Sequence, residues 1–170
     1  TIAIPPINAL VAENLVESDL YGRFPVKKAT GNGLNVQHVV AHTKGEAALI
    51  VPNGFMFGPG RDKEVREHLL KKGWVKAVIS LPRGVLSTTG LPTTLLLLDT
   101  RTQRRTVGLI DATQQHFHLA PGRGQAALAN TDDILAFCAA LDDQAAPLRR
   151  ALDSSLAAVV RTDEIIANES

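Results

Sequence analysis

The chain has 170 residues with 18 basic and 17 acidic side chains, a formal charge of +1. A chain of this size buries roughly 70% of its unfolded surface without cross-links, and this charge balance makes no electrostatic case for or against a nucleic-acid partner. One cysteine, Cys138, excludes an internal disulfide and a cysteine-based metal site, and suits a reducing cytosol; the 4% aromatic content argues against a broad base-stacking platform, and no apolar run reaches membrane-span length.

In chain order, Ile2–Ile4 reads as a short apolar strand closed by Pro5-Pro6, where two fixed φ angles and two missing donors turn the backbone out of a sheet. An opening in mid-strand suggests that an upstream half of the fold is lacking. Asn8–Leu20 has helical spacing at Leu10, Val11, Leu15, Val16 and Leu20. Tyr21–Gly33, with Gly22, Pro25, Gly31 and Gly33 among Arg23, Lys27 and Lys28, reads as a loop. A helix is expected from about Gly33 to His42, with Leu34, Val36, Val39 and Val40 inward.

Glu46–Val51 is an apolar strand stopped by Pro52-Asn53-Gly54, because proline cannot donate to a ladder. Ligands of open α/β sheets gather beyond the carboxyl ends of strands, so the Pro52–Phe55 loop stands where a site is expected. Phe55–Gly60 reads as a loop. Asp62 is expected to cap a helix with Val65, Leu69 and Leu70 inward and Gly73 as its stop. Val75–Leu81 is a strand ended by Pro82. Thr93–Leu98 and Val107–Ile110 are strands joined by the basic turn Arg101–Arg105, which reads as a hairpin. Beyond Asp111 the chain turns polar. Thr131–Leu141 is a capped helix with Ile134, Leu135, Phe137 and Cys138 apolar, and helical spacing continues from Asp142 to Leu156. Ala157–Val160 suits a late strand and Thr162–Ile166 a short helix. The order predicts an α/β fold with a mainly parallel sheet, a hairpin at one side, and a helical C-terminal tail.

Few residues stand out for chemistry. His38 and His42 have the i, i+4 spacing of a helical metal pair but no third ligand, so a solvated face is the reading; His116 and His118 flank Phe117 in a loop without a ligand set. Arg101, Arg104 and Arg105 make either a phosphate contact or a solvated turn.

Several segments together resemble a known family. Arg23-Phe24-Pro25, Gln37-His38-Val39-Val40, Ala47–Gly54, Val65–Leu70, Ala77–Val85, Thr88–Leu97, Arg123–Asp133 and Thr162–Ile165 follow the order of the N6-adenine DNA methylases of type I restriction-modification systems, the modification subunits. The pair Val51-Pro52-Asn53-Gly54 and Ile79-Ser80-Leu81-Pro82 carries most of the specificity. The resemblance implies the later strands of a Rossmann-like methyltransferase fold over residues 1–113 and a helical extension over 114–170. It implies S-adenosylmethionine as cofactor, DNA as substrate with the adenine flipped out of the duplex, specificity and restriction subunits as partners, and a cytoplasmic location.

Aligned to the family signature of Asn or Asp, Pro-Pro, then Tyr or Phe, this chain keeps Pro5 and Pro6 but places Ile4 at the polar position and Ile7 at the aromatic one. Isoleucine neither accepts a hydrogen bond from the amino group nor stacks on a base. Losing one positioned hydrogen-bond partner costs about 10²–10³ in rate. Asn8 lies on the wrong side of the prolines to replace it. The glycine pairs Gly31/Gly33 and Gly58/Gly60 do not follow a strand and open a helix as a cofactor turn requires. The expectation is therefore an isolated chain that is inactive and does not bind S-adenosylmethionine, a remnant engaging DNA or a partner being the alternative. Asn53 and Phe55 would line the target-base side. Arg23, Lys27 and Lys28 would meet the DNA backbone, and the first strand would leave a raw sheet edge open to self-association.

Overall fold

A computed structural model describes residues 2–3, 16, 19–86, 90–118, 127–142 and 153–168. The elements are β1 (Ile2–Ala3), α1 (Gly31–Ala41), β2 (Glu46–Pro52), α2 (Asn53–Phe57), α3 (Arg61–Lys71), β3 (Val75–Leu81), β4 (Thr93–Asp99), β5 (Thr106–Asp111), a 3-10 turn (Gln115–Phe117), α4 (Thr131–Ala140), β6 (Ala157–Arg161) and α5 (Thr162–Asn168). They form one six-stranded sheet in the order β1-β2-β4-β3-β5-β6, within an α/β fold.

The period-2 geometry of the strands sends alternate side chains to opposite faces. On one face Ala47, Leu49 and Val51 of β2 pack with Leu34 and Val36 of α1 and Val65, Leu69 and Leu70 of α3. On the other, Ala77, Ile79 and Leu81 of β3 meet Ile134, Phe137 and Cys138 of α4. A register irregularity between Val75 and Ala77 opens β3, and the buried Lys76 sits at that point. Gly108 of β5 lets α4 approach: a Cβ there would lie 2.6 Å from Leu141 Cδ1 and 2.9 Å from Phe137 Cε1.

The sheet is mixed, which corrects the expectation of a mainly parallel one. β1/β2 and β3/β5 are parallel, whereas β2/β4, β3/β4 and β5/β6 are antiparallel. The cause is the connection from β3 to β4. A parallel return needs a crossover, usually helical, and the described residues between Pro82 and Pro92 contain no helix, so the chain turns back antiparallel and inserts β4 between β2 and β3.

The expected β4–β5 hairpin is also corrected: β3 lies between the two strands. The basic turn passes the start of β3 and enters on its far side. Asp99 N donates to Trp74 O at 2.8 Å and Arg104 N to Gly73 O at 2.9 Å, so the turn lies against Gly73-Trp74. Gly73, at φ +66°, is both the stop after α3 and the floor of this passage, since a Cβ there would meet Arg104 N at 2.6 Å.

Two smaller differences concern helix starts. The segment read as a loop after Pro52 begins with the helical turn α2. α3 starts behind Gly60 (φ +102°), and Asp62, expected as its cap, lies within the first turn and bonds elsewhere. The Asn8–Leu20 helix expectation falls mostly outside the described residues, as does most of the Asp142–Leu156 segment. Residues 153–156 form a turn, and β6 and α5 follow as the sequence suggested, with β6 paired to β5. Among the described residues no helix is long and apolar enough to cross a membrane.

Candidate functional site

β2 runs from Glu46 to Pro52 and delivers Asn53 at its carboxyl end. Pro52 closes the ladder opposite Thr93, and Asn53 N then donates to Pro92 O at 3.2 Å. The buried Thr94 hydroxyl donates to Asn53 Oδ1 at 2.8 Å, which turns the carboxamide oxygen toward the sheet and its NH2 the other way. β1 lies parallel to β2, with Ala3 opposite Leu49, so the carboxyl ends of both strands point to the same side of the sheet. Arg83, exposed and directly after β3, lies at this same end. Nothing local in the sequence singled it out, because its position depends on β3 running parallel to β2 two strands away.

Phe55 goes elsewhere. Its ring is 1% exposed within the helix-side core, and its carbonyl accepts from Arg66 Nη1 at 2.7 Å. The aromatic of this segment that faces out is Phe57, 65% exposed. Two residues on a helical turn point in nearly opposite directions, a distinction invisible while the segment reads as a loop.

The basic residues divide. Lys27 and Lys28 are exposed on the loop before α1. Arg23 lies with Val40, Thr43, Trp74 and Thr100 around a cleft where β2 and β3 begin and β4 ends, the opposite end of the sheet from Asn53. Its Nε bonds Asp19 Oδ1 at 2.9 Å. Burial works to raise the Asp19 carboxyl, but bonds from Arg23 and Phe24 N outweigh it and hold the group below the usual carboxylate range. Pro5, Pro6, Ile4 and Ile7 lie outside the described residues.

The histidines do not build a metal centre: among the described residues no three His, Cys, Asp or Glu side chains group to hold an ion. His38 and His42 have ring centroids 4.4 Å apart, and His42 Nδ1 lies 2.8 Å from His38 O. His38 is pushed below the ordinary histidine range by burial first, then by His42 and Arg23. His116 Nε2 pairs with Asp133 Oδ2 at 2.7 Å on the surface.

Neither glycine pair fits a cofactor turn. Gly31 and Gly33 open α1 from a loop rather than from a strand, and Gly33 is packed so closely that a Cβ would lie 2.4 Å from Asp62 Oδ1. Gly58 and Gly60 link α2 to α3. Neither of these two glycine pairs is therefore a strand–glycine–helix cradle for S-adenosylmethionine.

Mixed strand order, helices on both faces and an asparagine at the carboxyl end of a strand together define an α/β domain. The family N-6 DNA Methylase matches residues 1–170, and the chain belongs to that family. A solved type I restriction-modification methyltransferase subunit from Streptococcus thermophilus superposes with a TM-score of 0.74 at 23% identity, covering 99% of this chain and 35% of its own. A class I S-adenosylmethionine-dependent methyltransferase fold from Listeria monocytogenes gives 0.52 at 19% identity, over 66% of this chain and 36% of that one. The methylase subunit of the type I restriction enzyme MpnII from Mycoplasma pneumoniae is 34% identical over 55 residues, 32% of this chain and 10% of the relative. The chain thus spans about a third of the length of the solved relatives it matches.

Proposed function

We propose that these 170 residues carry the target-base side of an adenine-N6 DNA methyltransferase, the modification subunit of a type I restriction-modification system. The observation that carries this reading is the family match over the whole length, with Asn53 presented at the carboxyl end of β2. Open α/β sheets place ligands at such strand ends. Asn53, held by Thr94, lines the base side, and Phe55 supports it from the core. Lys27, Lys28 and Arg83 contact backbone phosphates. DNA, specificity and restriction subunits are the partners, in the cytoplasm.

S-adenosylmethionine supplies the methyl group in such enzymes. These residues alone do not hold it and do not transfer it. Ile4 offers no acceptor for the adenine amino group and Ile7 no ring for the extruded base, while the glycine pairs build no cofactor turn. The same two isoleucines favour a second reading, a non-catalytic module that engages DNA or a partner subunit. Calorimetry with S-adenosylmethionine and anisotropy with a labelled duplex test both. Salt-sensitive duplex binding weakened by Arg83→Gln, without cofactor heat, is the expected result. Sub-millimolar cofactor binding overturns the placement of the cofactor site outside these residues.

A further inference from the structure

The end of the sheet opposite Asn53 carries a cleft of about 440 Å3 between the 19–30 loop and the last turns of α1 and α3, within the size range of small-molecule sites. Among the described residues no acidic side chain lines it. Arg23 enters from the loop and Lys72 from the end of α3, with His68, Trp74, Thr43 and Thr100 around them.

Arg23 is held by a group outside the cleft lining, and Lys72 lies near Trp74 of the lining itself. Asp19, whose side chain is 1% exposed, fixes Arg23 through Nε, and the guanidinium lies 5.7 Å from the Tyr21 ring and 5.6 Å from the Phe24 ring. That leaves the terminal Nη1 and Nη2 of Arg23 without a hydrogen bond to a described residue. Lys72 Nζ sits 5.9 Å over the Trp74 ring. Burial first, then the charges of Lys72 and Lys71, hold His68 below the ordinary histidine range.

We propose that this cleft binds a phosphate ester, with the paired terminal nitrogens of Arg23 donating to its oxygens and Lys72 supplying a second positive charge from the other wall. A lining without acidic side chains among the described residues, two cations from separate elements and a volume suited to a small anion all favour that ligand over a cation or an apolar molecule. The ester comes either from a nucleic-acid backbone or from a free phosphate compound. The site lies away from Asn53 and does not depend on the target-base reading.

Trp74 is the chain's one tryptophan, so its emission reports on this cleft directly. The test titrates the full chain with inorganic pyrophosphate and, separately, with a short DNA duplex. A saturable change in Trp74 emission is expected, weakened about tenfold by Arg23→Gln and by Lys72→Gln, the cost of one charge-assisted hydrogen bond, and unaltered by Lys63→Gln on the other part of α3. Response to pyrophosphate assigns the site to free phosphate compounds; response to the duplex alone assigns it to the nucleic-acid backbone. Lys72 is exposed and its replacement leaves the core intact, so that variant decides the matter if Arg23→Gln disturbs the loop. No emission change with either probe, or unchanged affinity in a folded Lys72→Gln, overturns the proposal.

Discussion

Asp62, in the first turn of α3, accepts two hydrogen bonds from Thr30, the residue that caps α1: Thr30 N to Oδ1 at 2.9 Å and Thr30 Oγ1 to Oδ2 at 2.5 Å. One carboxylate thus sits near the N-termini of two helices, where the helix dipoles favour negative charge. It joins the loop carrying Lys27 and Lys28 to the scaffold that positions β2. Asp62→Ala is expected to cost about 1–3 kcal/mol through the lost charge-assisted bonds to Thr30. Asp62→Asn, which keeps an acceptor for Thr30 N, should cost less. Urea unfolding of the two variants beside the parent measures this, and equal midpoints for Asp62→Ala and the parent would refute a stabilising Asp62–Thr30 link.

Two glycines make a matched pair of substitutions. Gly33→Ala would bring a Cβ to 2.4 Å from Asp62 Oδ1 and 2.9 Å from Ala29 Cβ, whereas a Cβ on Gly54 meets no atom within 4 Å. Both residues are helical. Gly33→Ala should therefore lose about 1–3 kcal/mol to overpacking, and Gly54→Ala should gain roughly 0.5–1 kcal/mol by restricting the unfolded chain. Thermal melts that rank the two in the reverse order would contradict the packing described for α1 and α3.

The pairing of α4 with the sheet should depend on pH. Lys76 Nζ bonds Asp142 Oδ2 at 2.5 Å and Glu46 Oε1 at 3.3 Å, and Arg104 bonds both Leu141 O and Asp142. Burial works to raise the Asp142 carboxyl, but bonds to Lys76 and Arg104 outweigh it and lower the group below the usual carboxylate range. A lowered folded pKa gives stability that is present above the unfolded carboxylate value and is lost as pH falls through the folded one. The Lys76 ammonium is displaced the other way: burial lowers it, but Asp142 and Glu46 prevail and raise it. Its share is complete below the unfolded lysine value and is lost as pH rises through the folded one. Asp142→Asn should lower the urea midpoint at neutral pH by an amount that shrinks toward zero in acid. A difference that stays constant through the acid range would rule the network out as its source.

Among the described residues β1 lies at the edge of the sheet and pairs on one side, with β2; Ile2 there is 85% exposed. Exposed apolar edges template pairing with a second chain, and a charge on the edge blocks it. Light scattering should show self-association that grows with concentration and is suppressed by Ile2→Lys. A parent chain that stays monomeric at high concentration would remove the edge as an oligomer contact.

Much of the scaffold was legible where local chemistry decides it. Pro52 and Pro82 marked the ends of β2 and β3, and Val65, Leu69 and Leu70 gave the buried stripe of α3. What could not be read locally was set by neighbours distant in sequence. The turn at Arg101–Arg105 looks like a hairpin unless β3 is known to lie between its strands. Asp62 has the sequence of a cap for its own helix, yet its carboxylate reaches Thr30. Phe55 and Phe57 are alike until α2 turns one inward and the other out. Of the expected site, Asn53 stands at the predicted strand end, while Arg23 lies beside the last turn of α1 at the far end of the sheet, and the Ile4–Ile7 signature lies outside the described residues.

The chain belongs to the N-6 DNA methylase family, and the reading proposed for it is that these residues alone do not transfer a methyl group. Its most direct test is incorporation of labelled methyl from S-adenosylmethionine into an adenine-containing duplex by the 170-residue chain, run beside the Ile4→Asn, Ile7→Phe double variant. The account predicts no incorporation by the unmodified chain, and none by the double variant, since restoring the signature does not create a cofactor site. Turnover by the unmodified chain would contradict it.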